Sequence, residues 1–454
     1  MNRLTLTLLL LALSVPVAAD NTEDMTAQIA SLRLLVQEMR LDYESRISEL
    51  EQRLEHSERV ASTAQQDADE AYQLAEQTAI DQSSGQSSPN AFNPAIGAVL
   101  TGRYADIDNG WDEIPGFQPG GEIGSGDSGF SLGEAEINIK ASIDSLFFGN
   151  LTLGLHEDDG DVEVELEESW VQTSALPAGL QVTAGRLFSS AGYLNSFHYH
   201  NDDFADRPLP YQAFLASRYF VDGFQARWVA PLPMYLELGT ELNWGDGFPA
   251  TSNAETSPGA WTVYAKTGGD LGINQSWQLG VAQINADAEE RGGGHGHGSE
   301  EEEEPALDFS GDSDLTVLDF VWKWTPGGDY QRNLKIQGEY FWRSEDGLYG
   351  DVNYDGDQSG WYLQGVAQFA PRWRAGLRYD LVDADNNPAS LLEGTELEDP
   401  GRSSKRSSVM LDWSASEFSR IRLQYTYDQV LPDTQHQWLV EYIMSLGAHG
   451  AHQF

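Results

Sequence analysis

The residues best suited to chemistry fall in three stretches rich in histidine or acid. His198-Tyr199-His200-Asn201-Asp202-Asp203, followed by Asp206-Arg207, brings imidazole, carboxylate and guanidinium groups close together. Held across an opening, such groups select solutes by charge and size. The surrounding segment, Ser189 to Ser217, also carries Tyr193, Phe197, Tyr199, Phe204, Tyr211 and Phe214. Those rings would make a solvent loop sticky. The segment is therefore expected to fold inward, with His198, His200, Asp202, Asp203, Asp206 and Arg207 forming a constriction. The competing reading packs it on a neighbouring subunit.

Two further stretches suggest metals. His295-Gly296-His297 precedes Glu300, Glu301, Glu302, Glu303 and Glu304. Imidazole and carboxylate donors suit zinc, nickel or copper, but no fixed ligand spacing is defined, so the segment reads as a flexible collector. Asp351, Asn353, Asp355 and Asp357 match the first half of a calcium loop, with Gly356 at the turn. Tyr362 stands where the bidentate Glu belongs. Solvated acidic turns are the bland alternative for both. His449 and His452 fall on opposite faces of a strand, which argues against a shared site. No cofactor is required by these patterns, and zinc or calcium in external loops is the expectation.

Other chemistries find little support. There is no Gly-x-Ser-x-Gly elbow, His-Glu-x-x-His helix or phosphate loop, so no enzyme is expected. With 26 basic and 72 acidic residues, the net charge of -46 excludes nucleic acid as a natural partner and favours cations. The chain has no cysteine, which fits an oxidising compartment.

These stretches need a frame to position them. From Ala91 onward the sequence alternates with a period of two. Leu334, Ile336, Tyr340 and Trp342 oppose Lys335, Gln337, Glu339 and Arg343, while Ile421, Leu423, Tyr425 and Tyr427 oppose Arg420, Arg422, Gln424 and Thr426. One face is oily and the other wet, as in a transmembrane barrel whose strands alternate between lipid and lumen. Arg186, Lys335, Arg343, Arg378, Arg420 and Arg422 are expected in the lumen. Sixteen candidate strands start between Pro94 and Gln435, one of them near Gly360. Long odd-numbered connections, including Ile107 to Gly129, Ser189 to Ser217 and Ser344 to Ser359, alternate with short even ones such as Pro231 to Pro233. The long set is expected outside the cell, the short set in the periplasm. Trp438, Val440, Tyr442, Met444 and Leu446 share one face of a final strand, and the aromatic Phe454 keeps their parity. This stretch reads as the strand that closes the barrel.

Upstream, Met1 to Ala19 has the charged start, apolar centre and small-residue end of a secretory signal. Ile29, Leu32, Val36, Met39 and Tyr43 then follow coiled-coil spacing. The pattern resumes at Ile47, Leu50 and Leu54 after one stutter. The domains expected are a signal over 1–19, a periplasmic coiled coil over 20–80, a linker over 81–90 and an all-β outer-membrane barrel over 91–454. The coiled coil implies a homotrimer, with outer-membrane lipid and peptidoglycan as surroundings.

Asn90-Ala91-Phe92-Asn93-Pro94-Ala95-Ile96, Gly185-Arg186-Leu187-Phe188, Asp203-Phe204-Ala205-Asp206 and Leu446-Gly447-Ala448-His449-Gly450-Ala451-His452 resemble a family of proteobacterial outer-membrane proteins. That family is porin-like, distantly similar to phosphate-selective porins, and its members are sometimes labelled zinc-regulated outer-membrane proteins or TonB-dependent receptors. The resemblance implies a barrel and a link to zinc supply. Together these observations favour a passive channel for small solutes, preferring cations and serving zinc or other divalent metals. The alternatives are a cell-wall tether acting through the coiled coil, or a metal-capturing, receptor-like barrel.

Overall fold

The computed structural model describes Gln37, Arg40 and residues 94–454, apart from 119–122, 159–160, 245–246, 251–256, 293–306, 329–331 and 448–454. The chain divides into two compact units, Met1–Ala91 and Phe92–Phe454. In the first, Gln37 and Arg40 are helical and exposed. The expected signal, the remainder of the segment expected to form a coiled coil, and the expected linker lie outside the described residues, as do His295, His297, Glu300 to Glu304, His449, His452 and Phe454.

The second unit is one closed antiparallel sheet. Seventeen ladder segments build it, but Gly129–Leu132 and Ala135–Ser142 both pair with the first strand and form a single strand broken at Gly133 and Glu134. Sixteen strands result. They are β1 (Ala95–Ile107), the broken β2, β3 (Phe147–Asp158), β4 (Asp161–Thr173), β5 (Leu180–Phe188), β6 (Phe220–Val229), β7 (Tyr235–Asn243) and β8 (Ala260–Asp270). The second half comprises β9 (Gln275–Arg291), β10 (Phe309–Trp324), β11 (Asn333–Tyr349), β12 (Val352–Ala370), β13 (Trp373–Asn387), β14 (Ser404–Ser416), β15 (Ser419–Gln429) and β16 (Gln435–Gly447). The last strand meets the first from Gly97 opposite Gly447 to Ile107 opposite Gln437, leaving no edge to face lipid.

Alternation decides which way each side chain points. Trp438, Val440, Tyr442, Leu423, Ile421, Tyr340 and Trp342 are exposed, whereas Gln437, Glu441, Arg422, Glu339 and Arg343 are buried inside the barrel. Exposed aromatics gather near both strand ends, with Tyr235, Trp324 and Trp373 at one end of the barrel and Trp261, Tyr427 and Trp438 at the other. Such rings suit the lipid headgroup layers.

One connection differs from the sequence reading. Ser344 to Ser359 is not a loop: β11 and β12 run 17 and 19 residues and are joined only by Gly350 and Asp351. About 9–11 residues suffice to cross a bilayer, so this hairpin continues well past lipid. Its Tyr349 and Tyr354 pack with Ala288, Phe309, Leu392 and Leu397 into a second small core. Asp-rich composition there marks wet outer faces rather than a break in the ladder. The calcium reading is corrected by the same fact. Asn353, Asp355 and Asp357 lie exposed along one face of β12, with Asp351 in the turn before it. Alternate residues in a strand stand about 6.6 Å apart in a row, so they cannot wrap an ion.

Candidate pore constriction

Between β5 and β6 the chain turns into the barrel. Asn195 clasps the two legs of this third loop: its Nδ2 donates to Ser189 O and Tyr219 O at 2.8 and 2.9 Å, and its Oδ1 accepts from Tyr219 N at 2.9 Å. A short helix, α1 (Leu209–Leu215), is buried along its whole length. Tyr211 and Phe214 pack on Phe341 at ring separations of 5.2 and 5.7 Å, so the rings that would be sticky in water line the lumen core.

Glu339 on β11 fastens the loop. It accepts from Tyr193 N at 3.2 Å, Leu194 N at 2.9 Å, Tyr211 Oη at 2.9 Å and Tyr362 Oη at 2.6 Å. Gly192 makes this approach: its φ is +80°, and a Cβ there would sit 2.5 Å from Glu339 Oε2.

Two charge clusters flank the loop. On the β10–β15 side, Asp203 meets Lys335 and also Arg374 at 3.0 Å. Asp206 meets Arg378 at 2.8 Å and Arg406 at 2.9 Å. Arg420 donates to His200 O at 2.6 Å, and Arg422 reaches Asp202 O, Asp412 at 3.1 Å and Glu441 at 3.2 Å. Arg207 instead folds the loop on itself, bridging Asp202 at 2.7 Å and the carbonyls of Leu194 and Phe197.

The β2–β4 side is acidic. His198 Nδ1 lies 3.1 Å from both Glu136 Oε1 and Glu167 Oε2, and its Nε2 lies 3.1 Å from Glu168 Oε2. His200 stacks on it at 5.7 Å and reaches Glu136 at 3.2 Å. Arg218 adds contacts of 3.5 Å to Glu134 and 3.6 Å to Glu167. Burial alone would lower the His198 pKa, but the carboxylates around it, Glu136 first, raise it well above the ordinary imidazole value.

Two cavities meet at this loop. One, of about 780 Å³, opens toward the short turns and is lined by Lys323, Lys335, Arg372, Arg374 and Arg420 against Asp202, Asp203 and Glu417. The other, of about 360 Å³, lies toward the long loops and is lined by Arg103, Glu134, Asp206, Arg207, Arg406 and Glu441 among others. His200 and Ile443 line both. His198 lines neither, being turned into the acidic wall.

Lys335, Arg378, Arg420 and Arg422 touch the loop from the lumen, and Arg343 is buried there beside Glu345 and Gln358. Arg186 lies 2.8 Å from Asp222 and 3.5 Å from Glu165, with its guanidinium over the Phe220 ring.

Two of the loop's ion-pair anchors, Asp203 and Asp206, should resist acid. Burial raises a carboxyl pKa, yet Lys335 and Arg374 hold Asp203, and Arg378 and Arg406 hold Asp206, well below the usual range. A depressed carboxyl pKa contributes stability above the unfolded value of about 3.9, and that stability is lost only as pH falls through the lower folded value. Burial pushes Asp202, which ties Arg207 within the loop, up to about 6, so conductance in 1 M salt should change once near pH 6 and then hold to about pH 4.5, because the Asp203 and Asp206 pairs persist.

No protein-family model matches the chain. An uncharacterized protein of Aquifex aeolicus (strain VF5) is 30% identical over 408 residues, which cover 81% of each chain. The chain belongs to the family of that protein. Among solved structures, the loop L8 deletion mutant of OmpT, an outer membrane protein of Vibrio cholerae, matches 79% of this family member and 100% of its own chain, with a TM-score of 0.50 and 13% identity. The outer membrane channel DcaP of Acinetobacter baumannii matches 80% and 99% respectively, with a TM-score of 0.52 and 11% identity. At these identities the likeness concerns the fold.

In this family member, alternation by itself does not reveal the acidic wall of Glu134, Glu136, Glu167 and Glu168. A signal for part of it nevertheless exists. Val164 and Leu166 point outward at even numbers, Val171 at an odd one. Parity slips between them because Glu167 is an unpaired bulge: Thr152 pairs with Glu168 and Leu153 with Leu166. A bulge re-aims side chains, and here it turns both Glu167 and Glu168 inward.

Proposed function

We propose that this barrel is an outer-membrane channel for passive diffusion of small hydrophilic solutes. The observation that carries the reading is the pair of charged cavities on either side of an inward-folded loop, meeting at His200 and Ile443. DcaP, whose fold the chain shares, is an outer membrane channel. The inner cavity carries Lys323, Arg372 and Arg420 together with Asp203 and Glu417, which gives a solute bearing both charges a defined orientation. Because acids and bases pair across the lumen, their fields largely cancel at a distance. The net charge of -46 then governs capture and favours cations. Planar-bilayer recordings test both parts. Cation selectivity is expected at 0.1 M salt, weakening toward 1 M as the Debye length shortens from about 10 Å to about 3 Å. Anion selectivity at low salt would refute the cation preference, and a folded barrel without conductance would refute the channel.

The coiled-coil pattern supports a homotrimer held by the amino-terminal segment, which then lies in the periplasm. Deleting Asn21 to Ile80, or changing Leu32, Val36 and Leu50 to Asn, should leave the barrel folded and loosen the assembly. Light scattering in detergent checks this; an unchanged trimer after the deletion would place all the association in the barrel.

A further inference from the structure

We propose that Glu136, Glu167 and His198 form a binding site for a divalent transition-metal ion, of the zinc type, beside the constriction. Their ligand atoms, one from each residue, all lie within 4.8 Å of one another. His198 Nδ1 stands 3.1 Å from each carboxylate oxygen. Ligands about 2.0–2.1 Å from a tetrahedral ion are separated by about 3.3 Å, so closing on an ion needs only small shifts. An imidazole among carboxylates selects zinc-like ions over calcium or magnesium, which take oxygen donors.

The surroundings are those of a built site. His198 turns its other nitrogen, Nε2, to Glu168 Oε2 at 3.1 Å. A carboxylate behind a metal-bound imidazole fixes the tautomer and the ring orientation. Glu168 is itself held by Trp170 Nε1 at 2.9 Å, Asn150 Nδ2 at 3.2 Å and Thr152 Oγ1 at 3.3 Å. The bulge makes this possible, since only an unpaired Glu167 can share the inner face with Glu168.

The wall around the site is crowded with negative charge. Glu134, its side chain 10% exposed, binds Arg218 through Oε1 and shares a side-chain hydrogen bond with Glu167. Four carboxylates thus converge on one guanidinium and two imidazoles. Carboxylates held this close repel one another, and a bound dication relieves that repulsion. The ion has a route in, because Glu134 and His200 line the outer cavity.

The site stands on geometry, and the channel reading enters only through a second readout. The test uses full-length folded protein in detergent, stripped with a chelator, in parent form and with residues 293–306 deleted to remove the histidine-rich loop. Zinc binding is measured by equilibrium dialysis with elemental analysis. The deletion variant should hold one tight zinc per chain. Glu136→Gln with Glu167→Gln should abolish it, and Glu168→Gln should weaken it by about 10- to 100-fold. X-ray absorption on zinc in the deletion variant needs no change within the site. It should show one imidazole among oxygen donors, and an all-oxygen shell would overturn the proposal.

Unaltered zinc affinity in the double Gln variant would also overturn it. Bilayer recording of the same preparations separates the two readings. A conducting barrel that binds no zinc at this site removes the metal proposal and leaves the channel. A barrel that binds zinc there but never conducts keeps the site and removes the channel.

Discussion

Replacing Lys335 and Arg374 together with Ala will release the third loop from the lumen and raise single-channel conductance. Asp203 is 4% exposed and relies on both bases. Without them its carboxylate keeps Gln364 Nε2 at 3.2 Å and the field of Arg422 but no ion-pair partner, and breaking a buried pair in this way costs about 3–5 kcal/mol. At about 1.4 kcal/mol per decade, the docking equilibrium shifts roughly a hundred- to several-thousand-fold toward the open side. Glu339 and the Arg378–Asp206 pair then hold a loop whose tip no longer fits. Adding Asp203→Asn to the double variant should restore the parent conductance in part, because the stranded charge is gone. Conductance unchanged in the double variant would show that Glu339, the Asp206 pairs and the Arg420 and Arg422 contacts suffice to hold the loop. Loss of Arg374 also touches Asp412, but Arg422 remains 3.1 Å from that carboxylate.

The second large effect is expected on the lipid face. Leu423 lies near the middle of β15 and is 41% exposed, between the buried Arg422 and Gln424. Leu423→Arg should destabilise the folded barrel by about 2–4 kcal/mol if the residue sits at the bilayer midplane. Arg422→Leu should fail for the opposite reason, leaving Asp412 and Glu441 short of a donor. Urea titration in lipid vesicles measures the first. Cysteine labelling checks the register independently, since a water-soluble reagent should reach Leu423→Cys poorly compared with lumen positions. Equal stability of Leu423→Arg and parent would remove Leu423 from the lipid face.

How far the sequence reaches depends on the range of the interaction. Alternation is local, because a strand turns each successive side chain to the opposite face. The inward set of Gln337, Glu339, Arg343, Arg422 and Glu441 and the outward set of Tyr340, Leu423 and Trp438 were therefore legible, along with sixteen strand positions and the short turns. The inward turn of Ser189 to Ser217 was legible too, since six rings cannot remain in water. Where the wall leaves lipid, that logic fails. Asp355 and Asp357 look like loop residues, yet the ladder continues beneath them because Tyr349 and Tyr354 have a second core to fill.

Tertiary structure alone decided the partners. Asp203 meets bases 132 and 171 residues away along the chain (335 − 203 and 374 − 203), and Glu339 meets a loop about 145 residues before it. No periodicity encodes such pairs, which depend on register around a closed ring and on one loop crossing it. The acidic wall shows the division most clearly. A slip in parity at Glu167 and Glu168 is written in the sequence, but only the fold brings His198 to them, 30 residues further along. Local patterns set which face a residue takes; barrel closure and loop docking set what it meets there.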